Sequence, residues 1–545
     1  MTRPAATQPA ATASAGQQTG CAGAACASPL PPGFTVAFDQ GTKQLGDGSL
    51  FGGSPTRVLK LTAAGSAALA ELRAGPVRSA AAATLARRLT DAGLAHPIPP
   101  PAKAAAADGS AGGASSAAAG ITVIIPVRDR AQMLGRCLDS LTAQQESTQH
   151  PVIVVDDGSA NGDAIAAITA RHGAALRRRS VNGGAGAARN TGLTGVTTSL
   201  IAFLDSDCIP PPDWMAALVA HFADPLVGAV APRIVVPPAS AAARPSAVRY
   251  AAVRGSLDLG GSPARVLPGG RVSYVPTAAL LVRREALASV ARSDDSAPEI
   301  FDPGLRYGED VDLIWRLHQA GWRIRYDPAV QVPHDGPATW AGLLGRRYCY
   351  GTSAGPLARR HPANMAPLVL QPWPAVTVAA MLARRPVAAA AAATAAWLHL
   401  TETVRRAGVP ADGAPAATLT AVRQTWLGIG RYATQFAAPA LALALVRPGG
   451  RTPARRWGRR AAVASLLLGP ALTSYAQANP ELDPVRFTLG QLADDICYGA
   501  GVWTGCVRER TAVPVRPAIS WRMFRVSGAR PTAMRDQHSA PSPQA

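Results

Sequence analysis

Two carboxylates, Asp205 and Asp207, lie two residues apart in the turn Leu204-Asp205-Ser206-Asp207-Cys208, directly after a short apolar run. Carboxylates with that spacing can both reach one cation, and oxygen ligands suit Mg²⁺ or Mn²⁺, ions that also bridge to a diphosphate. Such a cation would neutralise charge on a departing nucleoside diphosphate. Taken alone, the same pattern is typical of a surface turn.

A second acidic pair, Glu309 and Asp310, follows a glycine and precedes an apolar pattern with helical spacing over residues 311–317. We therefore expect both residues at a helix N-terminus, where the helix dipole stabilises carboxylates. One interpretation is that they only cap the helix. The other is that one of them is a general base, which takes the proton from an acceptor hydroxyl.

Two further motifs have residues suited to binding a nucleotide. Asp156 and Asp157 follow an apolar run and precede a glycine turn, so their oxygens can accept hydrogen bonds from a base N–H and a ribose hydroxyl. Glycines such as Gly183 in the segment 182–190 let the backbone approach a ligand, and the helix that follows presents free N–H groups to phosphate. Arg189 in the same segment could add its guanidinium. An ordinary turn and a flexible loop are the alternatives.

These motifs follow or lie between short apolar runs at residues 121–126, 152–155 and 200–204, with helical stretches between the runs. Apolar strands that alternate with helices predict a mostly parallel sheet covered on both faces, that is, an α/β fold. Open sheets of this kind bind ligands at the carboxyl ends of their strands. The positions of the acidic motifs match that edge.

Composition divides the rest of the chain. Residues 1–29 lack the apolar h-region of a signal peptide, and their composition predicts a disordered tail. The pattern of residues 30–96 predicts a small α+β domain, in which strands are followed by helices. Residues 97–120 are nearly all Pro, Ala, Gly and Ser, as in a flexible linker. The α/β segment covers 121–356, an Ala- and Leu-rich helical region covers 357–510, and residues 511–545 are expected to be a C-terminal tail.

The formal net charge is +20, from 54 Lys and Arg against 34 Asp and Glu. Much of the excess is Arg beside apolar runs in the C-terminal third, which favours a membrane surface over nucleic acid, and no nucleic-acid motif is present. Four apolar helices are expected at 367–383, 387–400, 436–446 and 461–472. Most are too short or too interrupted by Pro to span a bilayer. Peripheral membrane contact and a soluble helical bundle both remain open.

Seven cysteines without a CxxC pair are typical of reduced thiols in the cytoplasm.

Taken together and in this order, the motifs resemble the family 2 glycosyltransferases, which have the GT-A fold. The resemblance covers residues 121–336 and rests on the segments 125–128, 155–159, 204–207 and 308–310. It implies an inverting transfer from a nucleotide-diphosphate sugar with Mg²⁺ or Mn²⁺ bound. The Gln-x-x-Arg-Trp signature of processive members is not found, which speaks against long polymer synthesis.

The resemblance also implies roles for individual residues. Asp310 is the catalytic base, with Glu309 beside it. Asp157 recognises the nucleotide base with Asp156 next to it, and Asp207 is the more direct metal ligand of the Asp205/Asp207 pair. His334 falls where some relatives supply a further metal ligand; a structural histidine is the alternative. The residues assigned to the donor site are Pro126, Asp156, Asp157, Gly183, Arg189 and Asp205. Those assigned to the metal site are Asp205, Asp207 and His334.

The front segment resembles PqqD-like peptide-recognition domains through Gly52-Gly53-Ser54-Pro55 and the residues up to Leu61. With the catalytic segment and the helical segment around Asp494-Asp495, the order of parts resembles the glycosyltransferases of mycofactocin systems. That resemblance implies a peptide-derived acceptor, mycofactocin or its precursor, decorated with glucose. Two alternatives remain open: a glycosyltransferase acting on a polyprenyl phosphate or a cell-envelope glycan, and a catalytically silent binding module.

Overall fold

The structure is a computed structural model that describes residues 28–46, 48–100, 120–143, 150–237, 244–292, 299–447, 452–521 and 525–527. Most of the predicted N-terminal tail and most of the predicted linker lie outside these residues.

The front part is a small α+β unit with its own apolar core. Thr62 caps the first helix by accepting a hydrogen bond from the Gly65 N–H at 3.2 Å. The spacing of Val58 and Leu59 relative to Leu69 and Leu72 also fits a helix, but both lie in the preceding strand, because the helix begins only after the Thr62 cap. The elements are β1 (Thr35–Phe38), β2 (Lys43–Gln44), β3 (Leu50–Gly52), β4 (Arg57–Leu59), α1 (Ala63–Ala74), α2 (Ala80–Ala92) and β5 (Ala95–Ile98).

The middle part is built on one eight-stranded sheet. Its elements are β6 (Ile121–Val127), α3 (Ala131–Thr142), β7 (Val152–Asp157), α4 (Gly162–Arg171), β8 (Ala175–Arg179), α5 (Ala185–Leu193), β9 (Leu200–Leu204), α6 (Trp214–Val219), β10 (Val227–Val235), α7 (Ser246–Arg254), β11 (Ala264–Val266), β12 (Ala279–Arg283), α8 (Arg284–Ala288), α9 (Glu309–Gln319) and β13 (Arg323–Pro333).

The sheet order is β11-β13-β10-β12-β9-β6-β7-β8. Strands β9, β6, β7 and β8 run parallel, whereas β12 pairs antiparallel with both β9 and β10. Apolar clusters cover both faces of the sheet. The three apolar runs of the sequence form β6, β7 and β9, so the predicted mostly parallel α/β sheet is confirmed, with an antiparallel strand inserted beside β9.

The C-terminal part is helical. The helix α14 begins at Ala414, far earlier than the apolar run at 436–446 suggested, and it continues past Pro439 with a kink at Ala437 (φ −137°). A proline inside a helix removes one backbone hydrogen bond, and the local kink accommodates that loss. The elements are α10 (Trp340–Thr352), α11 (Ala354–Arg360), β14 (Val369–Leu370), α12 (Pro372–Leu382), α13 (Pro386–Arg406), α14 (Ala414–Val446), α15 (Pro453–Ala478), α16 (Pro484–Arg508), β15 (Ala518–Ile519) and β16 (Arg525–Ser527).

Helix α16 packs closely against α10 and α11, which follow the eight-stranded sheet. A Cβ placed at Gly501 would lie 2.1 Å from the carbonyl oxygen of Tyr348, and one placed at Gly355 would lie 2.2 Å from that of Gly505. Only glycine permits such a backbone approach. The helical region is therefore joined to the middle part along an extended crossing of helices.

Parts of the predicted C-terminal tail form regular pairs. β15 runs parallel to β14, and β16 runs parallel to β4 in the front part. The segment after residue 511 thus contacts both the helical region and the sheet that β2, β3 and β4 form in the front part.

Buried ion pairs join the front part to the middle part. Both guanidinium nitrogens Nη1 and Nη2 of Arg87 on α2 donate to Asp224, at 2.7 and 2.8 Å. Arg323 at the start of β13 donates to Asp91 at 2.7 and 2.8 Å. Because Arg87 and Asp224 are 2% and 1% exposed, this contact is part of the protein interior.

In the described part of the chain, one helix, α14, is long and apolar enough to cross a bilayer, and 11% of its most apolar stretch is buried against the protein. Helices of soluble bundles meet the same test of length and composition. The other expected apolar runs lie in helices that do not meet it.

Candidate active site

The carboxyl ends of β6, β7 and β9 open into one cleft with a volume of about 1310 Å³. Its opposite wall is formed by α14, α15 and α16. A single small ligand commonly occupies about 300–1000 Å³, so the cleft has room for a donor together with an acceptor. Of the residues assigned from the sequence, those that line it are Pro126, Asp157, Arg189, Asp205, Asp207, Glu309, Asp310 and His334.

Asp156 lies outside the lining of this cleft, contrary to its assignment to the donor site. Its side chain is fully buried, and its Oδ1 accepts a hydrogen bond from the Ser159 N–H at 2.9 Å. Arg178 approaches its other oxygen at 3.4 Å. Strand alternation explains the difference, because neighbouring side chains of β7 point to opposite faces. Asp156 shapes the turn after β7.

Asp157 holds the glycine loop in place at the edge of the cleft. Its two oxygens accept hydrogen bonds from the N–H groups of Gly183 and Gly184, at 3.0 and 2.7 Å, and Arg179 donates to it at 2.8 Å. Gly183 itself does not line the cleft, so it acts here through its backbone contact with Asp157. Sequence motifs gave no sign of Arg179; the parallel register that pairs it with Asp157 would have identified it.

Arg189 joins the two acidic pairs that the sequence presented separately. It is 2% exposed, and it donates to Asp205 at 2.7 Å and to Glu309 at 2.9 Å. Its guanidinium also lies over the ring of Phe301, at 5.6 Å. The side chain that the sequence assigned to phosphate is therefore occupied by two carboxylates, which it positions in the floor of the cleft.

Asp207 is a buried carboxylate with cationic partners. His334 lies 3.3 Å from its Oδ1, and Arg130 contacts its Oδ2. Burial alone would raise the pKa of Asp207, but the hydrogen bond with His334 and the charges of Arg130 and Arg346 lower this pKa to about 2. Asp207 is thus ionised at neutral pH. The sequence did not single out Arg130 or Arg346, because neither lies in a recognisable motif.

Asp207 and His334 provide a carboxylate and an imidazole, a pair of donors that suits Mn²⁺ at least as well as Mg²⁺. Within the described ranges, no group of three or more His, Cys, Asp or Glu side chains is arranged to hold a metal ion. Asp205 is engaged by Arg189 instead. An ion bound here would need oxygens from a ligand or from water to complete its coordination.

Asp310 and Glu309 begin α9, as predicted, after Gly308 in the left-handed conformation (φ 80°). The Val311 N–H donates to Asp310 at 2.8 Å. Burial, with the neighbouring charge of Glu309, raises the pKa of Asp310 to about 7. Burial also raises the pKa of Glu309, in opposition to its ion pair with Arg189. A carboxylate whose pKa lies near neutral is matched to general-base chemistry.

A family model and a full-length relative are consistent with this site. The model described as "Glycosyl transferase family 2" matches residues 122–290. "Pre-mycofactocin glycosyltransferase" from two strains of Mycobacterium tuberculosis, CDC 1551 / Oshkosh and ATCC 25618 / H37Rv, is 36% identical over 507 residues, covering 90% of this chain and 99% of that protein. The chain belongs to the family 2 glycosyltransferases and has their GT-A fold.

Because the similarity extends over nearly the full length of both chains, the protein is by homology a glycosyltransferase of the mycofactocin system. Among solved structures, the mannosyltransferase PcManGT from Pyrobaculum calidifontis, in complex with GDP-Man and Mn²⁺, is 20% identical with a TM-score of 0.32 and covers 64% of this chain and 86% of its own. GalNAc-T7 with UDP, GalNAc and Mn²⁺ is 17% identical with a TM-score of 0.30 and covers 39% of this chain and 43% of its own.

Proposed function

We propose that the protein transfers glucose from a nucleotide-diphosphate sugar to pre-mycofactocin or a related peptide-derived acceptor, with inversion at the anomeric carbon. The observation that carries this proposal is the composition of the cleft. It contains a carboxylate suited to general-base catalysis, Asp310, and an ionised carboxylate paired with an imidazole, Asp207 and His334.

In the proposed reaction, Asp310 accepts the proton of the acceptor hydroxyl while the oxygen of that hydroxyl attacks the anomeric carbon. Arg189 holds Glu309 and Asp205 in place through its hydrogen-bonded ion pairs, so the cleft floor does not rearrange during the step. A cation held by Asp207 and His334 would supply Lewis-acid stabilisation of the leaving diphosphate. Attack from one side with departure from the other inverts the anomeric configuration.

The choice of acceptor is supported by how much of the chain the mycobacterial relative shares. An alignment over 90% of the chain includes most of the front part and of the helical region, as well as the catalytic sheet. We assign the front part, which resembles PqqD-like domains, to recognition of the peptide-derived portion of the acceptor. Its buried ion pairs with the catalytic part would hold such an acceptor at a fixed distance from the cleft.

We further propose a cytoplasmic location with peripheral contact to an anionic membrane. Support comes from the ends of α14 and α15, where Val446 and Trp457 are 70% exposed beside Arg447 and Arg456. Interfacial Trp and Arg favour anionic headgroups. Co-sedimentation with phosphatidylglycerol vesicles, and not with phosphatidylcholine vesicles, is expected; no sedimentation with either kind contradicts the proposed contact.

The test of the function is a transfer assay with UDP-glucose and other nucleotide sugars, Mn²⁺ or Mg²⁺, and pre-mycofactocin, read out by product mass. A polyprenyl phosphate serves as the competing acceptor. We expect a hexosyl adduct on pre-mycofactocin that depends on Asp310. An adduct on polyprenyl phosphate alone would support the alternative acceptor, and absence of transfer from every donor would contradict the proposal.

A further inference from the structure

The wall of the cleft opposite the eight-stranded catalytic sheet is formed mainly by polar and aromatic side chains from three C-terminal helices. On each helix the lining residues recur at helical spacing, so each helix presents one continuous face. Representative residues are Gln424, Arg431 and Gln435 of α14, Gln477 of α15, and Gln491 and Tyr498 of α16.

Helix α16 holds its position in this wall through close backbone contacts. A Cβ placed at Gly499 would lie 1.7 Å from the carbonyl oxygen of Gln435 on α14, and one placed at Gly490 would lie 2.5 Å from the ring of Trp340 on α10. Packing of this kind leaves little freedom for α16 to shift or rotate. Side chains that α16 presents to the cleft are therefore fixed relative to the catalytic sheet.

The acidic pair that the sequence singled out on α16 binds two arginines that line the cleft, Arg347 of α10 and Arg431 of α14. Asp494 contacts Arg347 and accepts a hydrogen bond from Tyr250 at 3.0 Å. Asp495 accepts from Arg431 at 3.0 Å and from Gln435 at 2.8 Å. Both carboxylates are buried, so the guanidinium groups they bind have little charge left to attract an anion from the cleft.

Gln491 lies one turn before this acidic pair on the same helix. It is 2% exposed and lines the cleft, yet its Oε1 has no hydrogen-bond partner in the part of the chain that the structure describes. A buried amide oxygen without a partner costs about 1–3 kcal/mol, and such atoms in native proteins commonly await a ligand or a water. Gln491 thus brings to the cleft wall a hydrogen-bonding capacity that no described protein group satisfies.

We propose that Gln491 binds the acceptor by accepting a hydrogen bond from a hydroxyl or N–H group, and that the acceptor portion at this wall is uncharged. The inference rests on the proposed function and names a residue that selects the acceptor. A phosphate ester is a poor fit at this position, because the nearby arginines Arg347 and Arg431 are already paired with Asp494 and Asp495.

The test compares Gln491→Met, which removes the hydrogen-bonding group at nearly constant volume, with Thr488→Val. Thr488 is one turn away on α16 and also has a buried oxygen without a partner in the described residues, but it does not line the cleft. Steady-state transfer is measured with UDP-glucose at saturation and pre-mycofactocin varied. Gln491→Asn is measured in parallel as a variant that retains an amide.

We expect Gln491→Met to raise the KM for the acceptor about tenfold, the effect of one lost hydrogen bond, with a smaller change in kcat and unchanged UDP binding. Thr488→Val is expected to keep the wild-type KM. An acceptor KM within about twofold of wild type for both Gln491 variants would overturn the role of Gln491 and leave the proposed function standing. A wild-type protein without transfer activity would overturn the proposed function and this inference with it.

Discussion

At the scale of individual residues, Arg189 joins the two acidic motifs of the cleft, because it forms an ion pair with one carboxylate of each motif. Its ion pairs with Asp205 and Glu309 place positive charge next to Asp310, and this charge opposes the effect of burial on the pKa of Asp310. Loss of either carboxylate would therefore alter the other motif. Double-variant cycles between the two motifs are expected to be non-additive for this reason.

Replacement of Asp310 by Asn should remove the general base and leave the shape of the cleft unchanged. We expect kcat to fall by about 10²–10⁴-fold, the usual contribution of such a base, while UDP binding stays intact. Activity is measured by product mass and UDP binding by calorimetry. Glu285→Gln is the control, because Glu285 also lies in the first turn of a helix but is exposed and does not line the cleft. Near wild-type turnover by Asp310→Asn would disprove the assignment.

The raised pKa of Asp310 gives a prediction for pH dependence. Its base form exists above the pKa of about 7, so protonation removes activity as the pH falls through that value. We expect kcat/KM to decline below about pH 7, approaching tenfold per pH unit. An initial-rate profile of the wild-type protein measures this. A profile that is flat from about pH 6 to 8 would contradict the role of Asp310.

Asp207 and His334 give a prediction for metal dependence. Asp207→Asn and His334→Ala should each raise the Mn²⁺ concentration for half-maximal activity by at least tenfold, since even outer partners of a metal commonly contribute about 10–100-fold. Metal titration of chelator-treated protein measures the effect. Asp335→Asn is the matched control, because the Asp335 side chain contacts Arg136 and not the Asp207–His334 pair. Equal metal requirements in all three variants would refute the proposed metal site.

At the scale of elements, the sequence predicted what depends on local pattern. Strands β6, β7 and β9 are continuous apolar runs, and α9 begins at Glu309 because a glycine and an acidic first turn mark its start. The structure differed where long-range contacts decide. β4 contains residues that also fit a helical pattern, and α14, which packs against α15 and α16, continues past Pro439.

The same distinction holds for the site. Carboxylates in motifs were found from the sequence, whereas Arg130, Arg179 and Gln491 were not. Arg179 belongs to the site through strand register, and Gln491 through helix packing, and neither relation is encoded within a short segment.

Glycines of α14–α16 give a prediction at this scale. Gly499→Ala should destabilise the protein by about 1–3 kcal/mol or more, because its Cβ would overlap the Gln435 carbonyl oxygen. Gly469→Ala in α15 is the control; its Cβ would lie 3.8 Å from Leu427, an ordinary contact. Alanine there should be neutral or stabilise the helix by up to about 1 kcal/mol. Chemical unfolding measures both, and equal stabilities would contradict the close crossing.

At the scale of the whole molecule, the parts that the sequence divided by composition are joined by contacts. The front part is tied to the catalytic part through Arg87 and Asp224, and the catalytic part to α16 through Arg347 and Asp494. His361, beyond the predicted end of the catalytic domain, lies 2.9 Å from Asp312 of α9. Composition identifies segments, but it does not report which charged residues pair across them.

The Arg87–Asp224 pair gives a prediction for this scale. Arg87→Met leaves a buried carboxylate uncompensated and should lower the free energy of unfolding by about 3–5 kcal/mol. Arg87→Met combined with Asp224→Asn should recover part of that loss, because no unpaired charge remains. Arg88→Met, at the exposed neighbouring position, should change stability by less than about 0.5 kcal/mol. Equal effects of Arg87→Met and Arg88→Met would contradict a buried pair.

The late position of α16 along the chain has a consequence for protein synthesis. The catalytic sheet is complete once β13 has left the ribosome, whereas α16, which closes the far wall of the cleft, is translated more than 150 residues later. Because folding during translation starts from the N-terminus, a nascent chain can assemble the eight-stranded sheet before the helix that closes the far wall has been made. The complete cleft therefore exists only near the end of translation.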